Sequence, residues 1–139
     1  MSSMTDSAED VAREFVQAIN RGDLDALAQL MTPEHRFVDS LGTAAEGRDA
    51  VRAGWSQYFL MVPDYEVSVQ ETLAEGPVVA ILGVARGTYS PDGDINPKNQ
   101  WETPAAFRAL IVNGKVAEWR VYADNEPIRR LMRAALKSG

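Results

Sequence analysis

Tyr65-Glu66-Val67-Ser68-Val69-Gln70 decides the fold. Upstream of it apolar residues recur every three or four positions. From Tyr65 the period falls to two, with Tyr65, Val67 and Val69 set against Glu66, Ser68 and Gln70, which is the alternation of a half-buried strand. Glu75-Gly76-Pro77 then turns the chain into the apolar run 78–84, so the spacing predicts a long hairpin whose second strand reaches Tyr89. A polar loop follows, built from Ser90-Pro91-Asp92-Gly93-Asp94 and Asn96-Pro97. Residues 101–112 read as another strand, in which Pro104 marks an edge or a bulge because proline brings no ladder donor. Asn113-Gly114 is a two-residue hairpin signal, since both positions tolerate positive φ, and 116–123 pairs back as the last strand.

Working outward, Val11, Phe15, Ala18 and Ile19 share one helical face, with Ser7 or Asp6 as cap and Asn20-Arg21-Gly22 as the stop. Asp23 caps a second short helix carrying Leu24, Leu27, Ala28 and Met31, ended by Thr32-Pro33. His35-Arg36-Phe37-Val38-Asp39 reads as a short strand before the breaker Ser40-Leu41-Gly42 and a loop of small residues. A third helix is predicted over 48–59, with Val51, Trp55, Tyr58 and Phe59 as its stripe. After the last strand, Asn125-Glu126-Pro127 opens a helix bearing Ile128, Leu131, Met132, Ala135 and Leu136, with basic residues toward its negative end. Helices first, then long antiparallel strands and a terminal helix, define an α+β chain, with a curved antiparallel sheet wrapped around the N-terminal helices.

With 139 residues, 45% of them hydrophobic, one core and one domain are expected over 7–139, preceded by a flexible tail at 1–6. Fourteen basic against twenty acidic residues give a charge of -6, which argues against nucleic acid and anionic membrane surfaces as partners. No cysteine and a single histidine exclude thiolate and multi-histidine metal sites, and no cofactor is expected. The N-terminal residues lack the basic start and apolar stretch of a signal peptide, so a cytoplasmic location is expected.

Several ordered strings carry a resemblance: Ala18-Ile19-Asn20-Arg21-Gly22-Asp23-Leu24-Asp25, Val38-Asp39-Ser40-Leu41-Gly42 with Glu46-Gly47-Arg48, Val62-Pro63-Asp64-Tyr65, and Asn113-Gly114-Lys115-Val116 leading to Trp119-Arg120-Val121-Tyr122-Ala123-Asp124. In order and over nearly the whole chain they resemble the SnoaL-like and ketosteroid isomerase-like branch of the nuclear transport factor 2-like superfamily. The resemblance implies a cone-shaped α+β fold whose mouth admits a small hydrophobic molecule, and commonly a homodimer. It puts Asp39 where ketosteroid isomerases carry the general-base carboxylate. It also puts Phe15 at the place of their oxyanion-hole tyrosine and Ala106 at that of their protonated aspartic acid, and neither residue donates a hydrogen bond. Losing one such donor typically costs about 3 kcal/mol of transition-state stabilisation, so steroid isomerisation is not expected. Val121 stands where limonene epoxide hydrolases carry an acid, and Asp124 is the nearest equivalent of the last-strand acid of SnoaL-type cyclases.

The candidate catalytic residues are therefore Asp39 and Asp124, and the candidate ligand-binding residues are Phe15, Trp55, Tyr58, Tyr89, Trp101 and Phe107. Each has a plainer alternative. Asp39 reads equally as a turn carboxylate accepting N–H bonds around 40–42, and Asp124 as the cap of the last helix. The aromatic residues read as plain core. His35 lies roughly 13 Å along an extended strand from Asp39, too far for a direct dyad, and reads as a strand-end residue near the surface. Arg120, Tyr122 and Asp124 alternate with Trp119, Val121 and Ala123; one set faces inward, and periodicity does not choose between them. The expected function is proton transfer by Asp39 on a small hydrophobic carbonyl or polycyclic compound, of isomerase, cyclase or hydrolase type. The alternative is a non-catalytic ligand-binding or dimeric interaction module of the same fold.

Overall fold

The computed structural model describes residues 7–138, so the tail predicted at 1–6 lies outside the described residues. Helix α1 (Ala8–Arg21) starts in a capping box, with Ser7 Oγ accepting from Asp10 N, and stops at Gly22, whose φ of 63° supplies the left-handed turn. Asp23 caps α2 (Leu24–Leu30) through Ala26 N. There follow β1 (Met31–Val38), β2 (Ala44–Glu46), α3 (Arg48–Met61), β3 (Glu66–Glu75), β4 (Val78–Thr88), one 3₁₀ turn (Pro97–Asn99), β5 (Gln100–Val112), β6 (Lys115–Ala123) and α4 (Glu126–Ser138).

The six strands form one sheet in the order β2-β1-β6-β5-β4-β3, with the helices against its inner face. The α+β class and the two long hairpins match the sequence reading. Two details differ. The small-residue loop after Asp39 contains β2, which pairs with β1, and β1 joins β6 in parallel, so the sheet is mixed. No sequence period announces that pairing, because β1 and β6 lie far apart in the chain and meet only in the folded sheet. Pro104 sits mid-strand opposite Val84, but pairing with β6 begins only at Ala105↔Ala123, so the missing N–H falls where β5 has one neighbour.

On β5, Trp101, Thr103, Ala105, Phe107 and Ala109 are buried on the inner face, while Ala106 pairs with Leu82 and the exposed Tyr122 on the outer face. Ala106 therefore does not hold the inward position that the resemblance gave it; alternation gives that side to Ala105 and Phe107. On β6 a register shift beside Leu110/Ile111 separates buried Val116 from buried Trp119 by three residues and so moves the inward set onto odd positions. Phe15 of α1 lies against Trp119 at 4.8 Å between ring centroids, and Trp119 stacks on Phe107 at 5.2 Å. These three rings are at most 2% exposed and form one packed stack in the core; truncating one to alanine typically costs about 3–5 kcal/mol. His35 is not near the surface but fully buried behind Phe15 (centroids 5.9 Å), its Nδ1 2.6 Å from Val116 O.

The free edge of β3 is covered from α1. Asn20 Nδ2 donates to Val67 O at 3.0 Å and Asn20 Oδ1 accepts from Val67 N at 2.8 Å, so one side chain stands in for a neighbouring strand. Among the described residues no helix is long and apolar enough to cross a membrane.

Candidate functional site

A cavity of about 390 Å³ opens between α3, the inner sheet face and the start of α4. Its floor is Phe107 and Trp119; one wall is Val51, Trp55 and Tyr58 of α3. Tyr65 and Trp101 continue the aromatic lining, with Tyr58 and Tyr65 edge-to-face at 5.0 Å. Burial pushes both phenols well above the ordinary tyrosine range, and for Tyr58 the neighbouring Tyr65 adds to the effect. Both hydroxyls accordingly stay protonated at any working pH and keep a proton to donate. Trp119, Val121 and Ala123 line the cavity, which resolves the choice that periodicity left open.

Four half-buried polar residues complete the lining: Asp39, Ser40, Asn125 and Arg129. Asp39 follows β1 at a tight turn in which Gly42 N donates to Asp39 O at 3.0 Å. Its Oδ1 accepts from Leu41 N and Thr43 N, both at 2.9 Å, and neither bond uses Oδ2. The carboxylate is thereby fixed in orientation with one oxygen committed to the loop. Asn125 Nδ2 donates to Ser40 Oγ at 2.6 Å, joining this loop to the start of α4.

Of the residues singled out from sequence, Asp39, Trp55, Tyr58, Trp101 and Phe107 come together on this cavity. Asp124 does not: it is exposed, and its Oδ1 accepts from Glu126 N at 2.9 Å at the start of α4. Phe15 lies behind Trp119 rather than on the cavity surface, and Tyr89 faces a separate shallow depression with Tyr58, Met61 and Pro91. Sequence reasoning missed Ser40, Tyr65, Asn125 and Arg129. For the last two, the spacing with Ile128 and Met132 (i, i+3, i+4, i+7) is a usable signal that all four fall on one side of α4 and its cap.

The indole nitrogens of Trp55, Trp101 and Trp119 are buried without hydrogen-bond partners, as is His35 Nε2. Burial lowers the His35 pKa below its ordinary 6.5, with the Val116 carbonyl and Glu118 pulling the other way. A carbonyl only accepts, so Nδ1 carries the proton and Nε2 an unpaired lone pair. Among the described residues no group of three or more histidine, aspartate or glutamate side chains is disposed to hold a metal ion.

Residues 12–119 match the SnoaL-like domain family, and the chain belongs to it, within the nuclear transport factor 2-like superfamily. No curated protein sequence matches the chain. Among solved structures it is similar to IdmH from Streptomyces antibioticus, provisionally described as a polyketide cyclase, with 23% identity, 91% of this chain and 99% of that one covered, and a TM-score of 0.76. A second neighbour, from Jannaschia sp. CCS1 and provisionally described as a SnoaL-like polyketide cyclase, shares 20% identity over 95% of this chain and 93% of its own, with a TM-score of 0.77. A third, with a ketosteroid isomerase-like fold, comes from Catenulispora acidiphila and is in complex with trimethylamine; it is 17% identical, with 84% and 86% covered and a TM-score of 0.72. At these identities the likeness establishes the fold.

Proposed function

We propose that this SnoaL-like domain binds a small, largely aromatic carbonyl compound in the cavity and that Asp39 moves a proton next to the carbonyl. One observation carries the reading: Asp39 is the sole carboxylate among the lining residues of a mainly aromatic and aliphatic chamber, clamped through Oδ1 so that Oδ2 is left for a guest. The protonated phenols of Tyr58 and Tyr65 are the donors best suited to orient the carbonyl oxygen. Abstraction breaks a C–H bond; the proton passes to the carboxylate and the electron pair into an enolate, which a return of the proton or ring closure then consumes. Steroid isomerisation in particular is not proposed.

The competing reading, a binder without chemistry, draws on the same two backbone N–H bonds, since they are also how a loop-closing carboxylate is held. Incubating the protein with 2-tetralone in D₂O and following loss of the α-proton signal by NMR separates the two. Accelerated exchange that disappears in Asp39→Asn while binding persists supports the base; binding with no acceleration leaves the binder.

A homodimer is the second part of the proposal. The outer sheet face carries Ala80, Leu82, Val84, Pro104, Ala106 and Leu110, bordered by Tyr122 at 52% exposure and Leu73 at 55%. Beside them Glu118 meets Arg120 at 3.2 Å and Arg108 at 3.9 Å, a mixed-sign rim that a two-fold copy of itself complements.

A further inference from the structure

Helix α4 brings three arginines near the cavity, and they are not equivalent. Glu126 takes two of them on one oxygen: Arg130 Nε at 3.4 Å and Arg133 Nη2 at 2.7 Å. Arg129 is left out. It has no ion pair and no side-chain hydrogen bond among the described residues, and its recorded bond is the helical one from its backbone N to Asn125 O. It is also the single cationic side chain of the cavity lining, where Asn125, Ile128 and Met132 flank it on the same helix face. Asp39, the single anion of that lining, forms no ion pair with it.

A guanidinium half-buried beside aromatic and aliphatic groups gives up hydration that no anion among the described residues returns to it. What returns it is a guest oxyanion, which the planar fork of arginine meets with two parallel hydrogen bonds and which an apolar surround strengthens. We infer that Arg129 is a specificity-determining residue that selects apolar ring compounds bearing an oxyanion, the ring seated in the aromatic chamber and the charged oxygen at Arg129. The inference rests on the cavity being a ligand site, as proposed above, and narrows the class of ligand.

Isothermal titration with three probes of one shape tests this: 4-tert-butylbenzoate, 4-tert-butylbenzamide and 4-tert-butylbenzylamine, against the full chain and Arg129→Gln. The carboxylate is expected to bind roughly tenfold or more tighter than the amide, and the amine most weakly. In Arg129→Gln the gap between carboxylate and amide closes while amide affinity holds, which also shows that the variant folds; Arg129→Lys, which keeps the charge without the fork, falls between. Equal affinities for carboxylate and amide, a gap that survives Arg129→Gln, or tightest binding of the amine overturns the inference while leaving the cavity a ligand site. Should none of the three bind, the ligand-site reading falls and this one with it.

Discussion

Asn125 donates to Ser40 across 2.6 Å, and through that one bond the helix carrying Arg129 is fastened to the loop carrying Asp39. Few other contacts among the described residues hold α4 against the sheet, and of its described side chains Ile128 is the most deeply buried, at 8% exposure. The two charged groups of the cavity thus keep their separation through a neutral hydrogen bond between their neighbours.

Removing that bond should loosen the helix before it unfolds the domain. Asn125→Ala is expected to lower stability by about 1 kcal/mol and to speed amide exchange in the first turns of α4 more than in β4 or β5. Urea titration and hydrogen-exchange mass spectrometry check both, and equal protection of α4 in the two proteins contradicts the tether.

Asp39 holds its loop through the same oxygen whichever role it plays. Asp39→Asn keeps an acceptor for Leu41 N and Thr43 N and should cost well under 1 kcal/mol, whereas Asp39→Ala frees both donors and should cost about 1–2 kcal/mol, as loss of a comparable capping side chain does. The difference between the two urea midpoints is the measurement.

His35 should make stability depend on pH in a definite direction. Its folded pKa lies below the unfolded value near 6.5, so the unfolded chain binds a proton more readily. Its contribution is complete above about pH 6.5 and is lost as pH falls through the folded pKa. Urea midpoints between pH 7.5 and 5 should fall for the native chain and fall less for His35→Gln; parallel slopes refute the assignment.

Two glycines predict opposite outcomes. A Cβ at Gly83 would overlap Ser68 O, part of the backbone of the neighbouring strand, so Gly83→Ala should destabilise by about 2–4 kcal/mol or abolish folding. Gly54 is mid-helix with nothing within 4 Å of its added Cβ, so Gly54→Ala should stabilise by roughly 0.5–1 kcal/mol while narrowing the cavity that it lines. Thermal melts together with titration of a bulky guest read both effects.

The outer sheet face tests the homodimer. Leu82→Arg puts a charge in the middle of its apolar patch, on the side away from the cavity, and should convert a dimer to a monomer by light scattering without changing probe affinity. A mass that is already monomeric in the native chain removes this part of the proposal.

Much of this architecture was legible because the punctuation is strong. Ser7 with Asp10, Gly22 with Asp23, and Asn113 with Gly114 each specify a backbone geometry locally, and all three act where their chemistry requires. Inward faces were harder to read. Three pairs of strands carry register shifts, near Met31/Arg36, Val69/Glu71 and Leu110/Ile111, and in β3 and β6 the parity that points inward changes across them. His35 was misplaced because a histidine carries no local sign of burial, and what buries it, Phe15 and the Val116 strand, is remote in sequence. Arg129 was hidden by its neighbours: a basic helix end looks like a response to the helix dipole until Glu126 is seen to engage two of the arginines and leave the third.

The chain contains three tryptophans, and Trp55, Trp101 and Trp119 all border the same chamber. Ultraviolet emission from the unlabelled protein therefore originates almost wholly at that one place, with no remote indole to dilute it. A library of compounds can be screened by watching the native fluorescence change colour or dim, without dye, tag or known reaction.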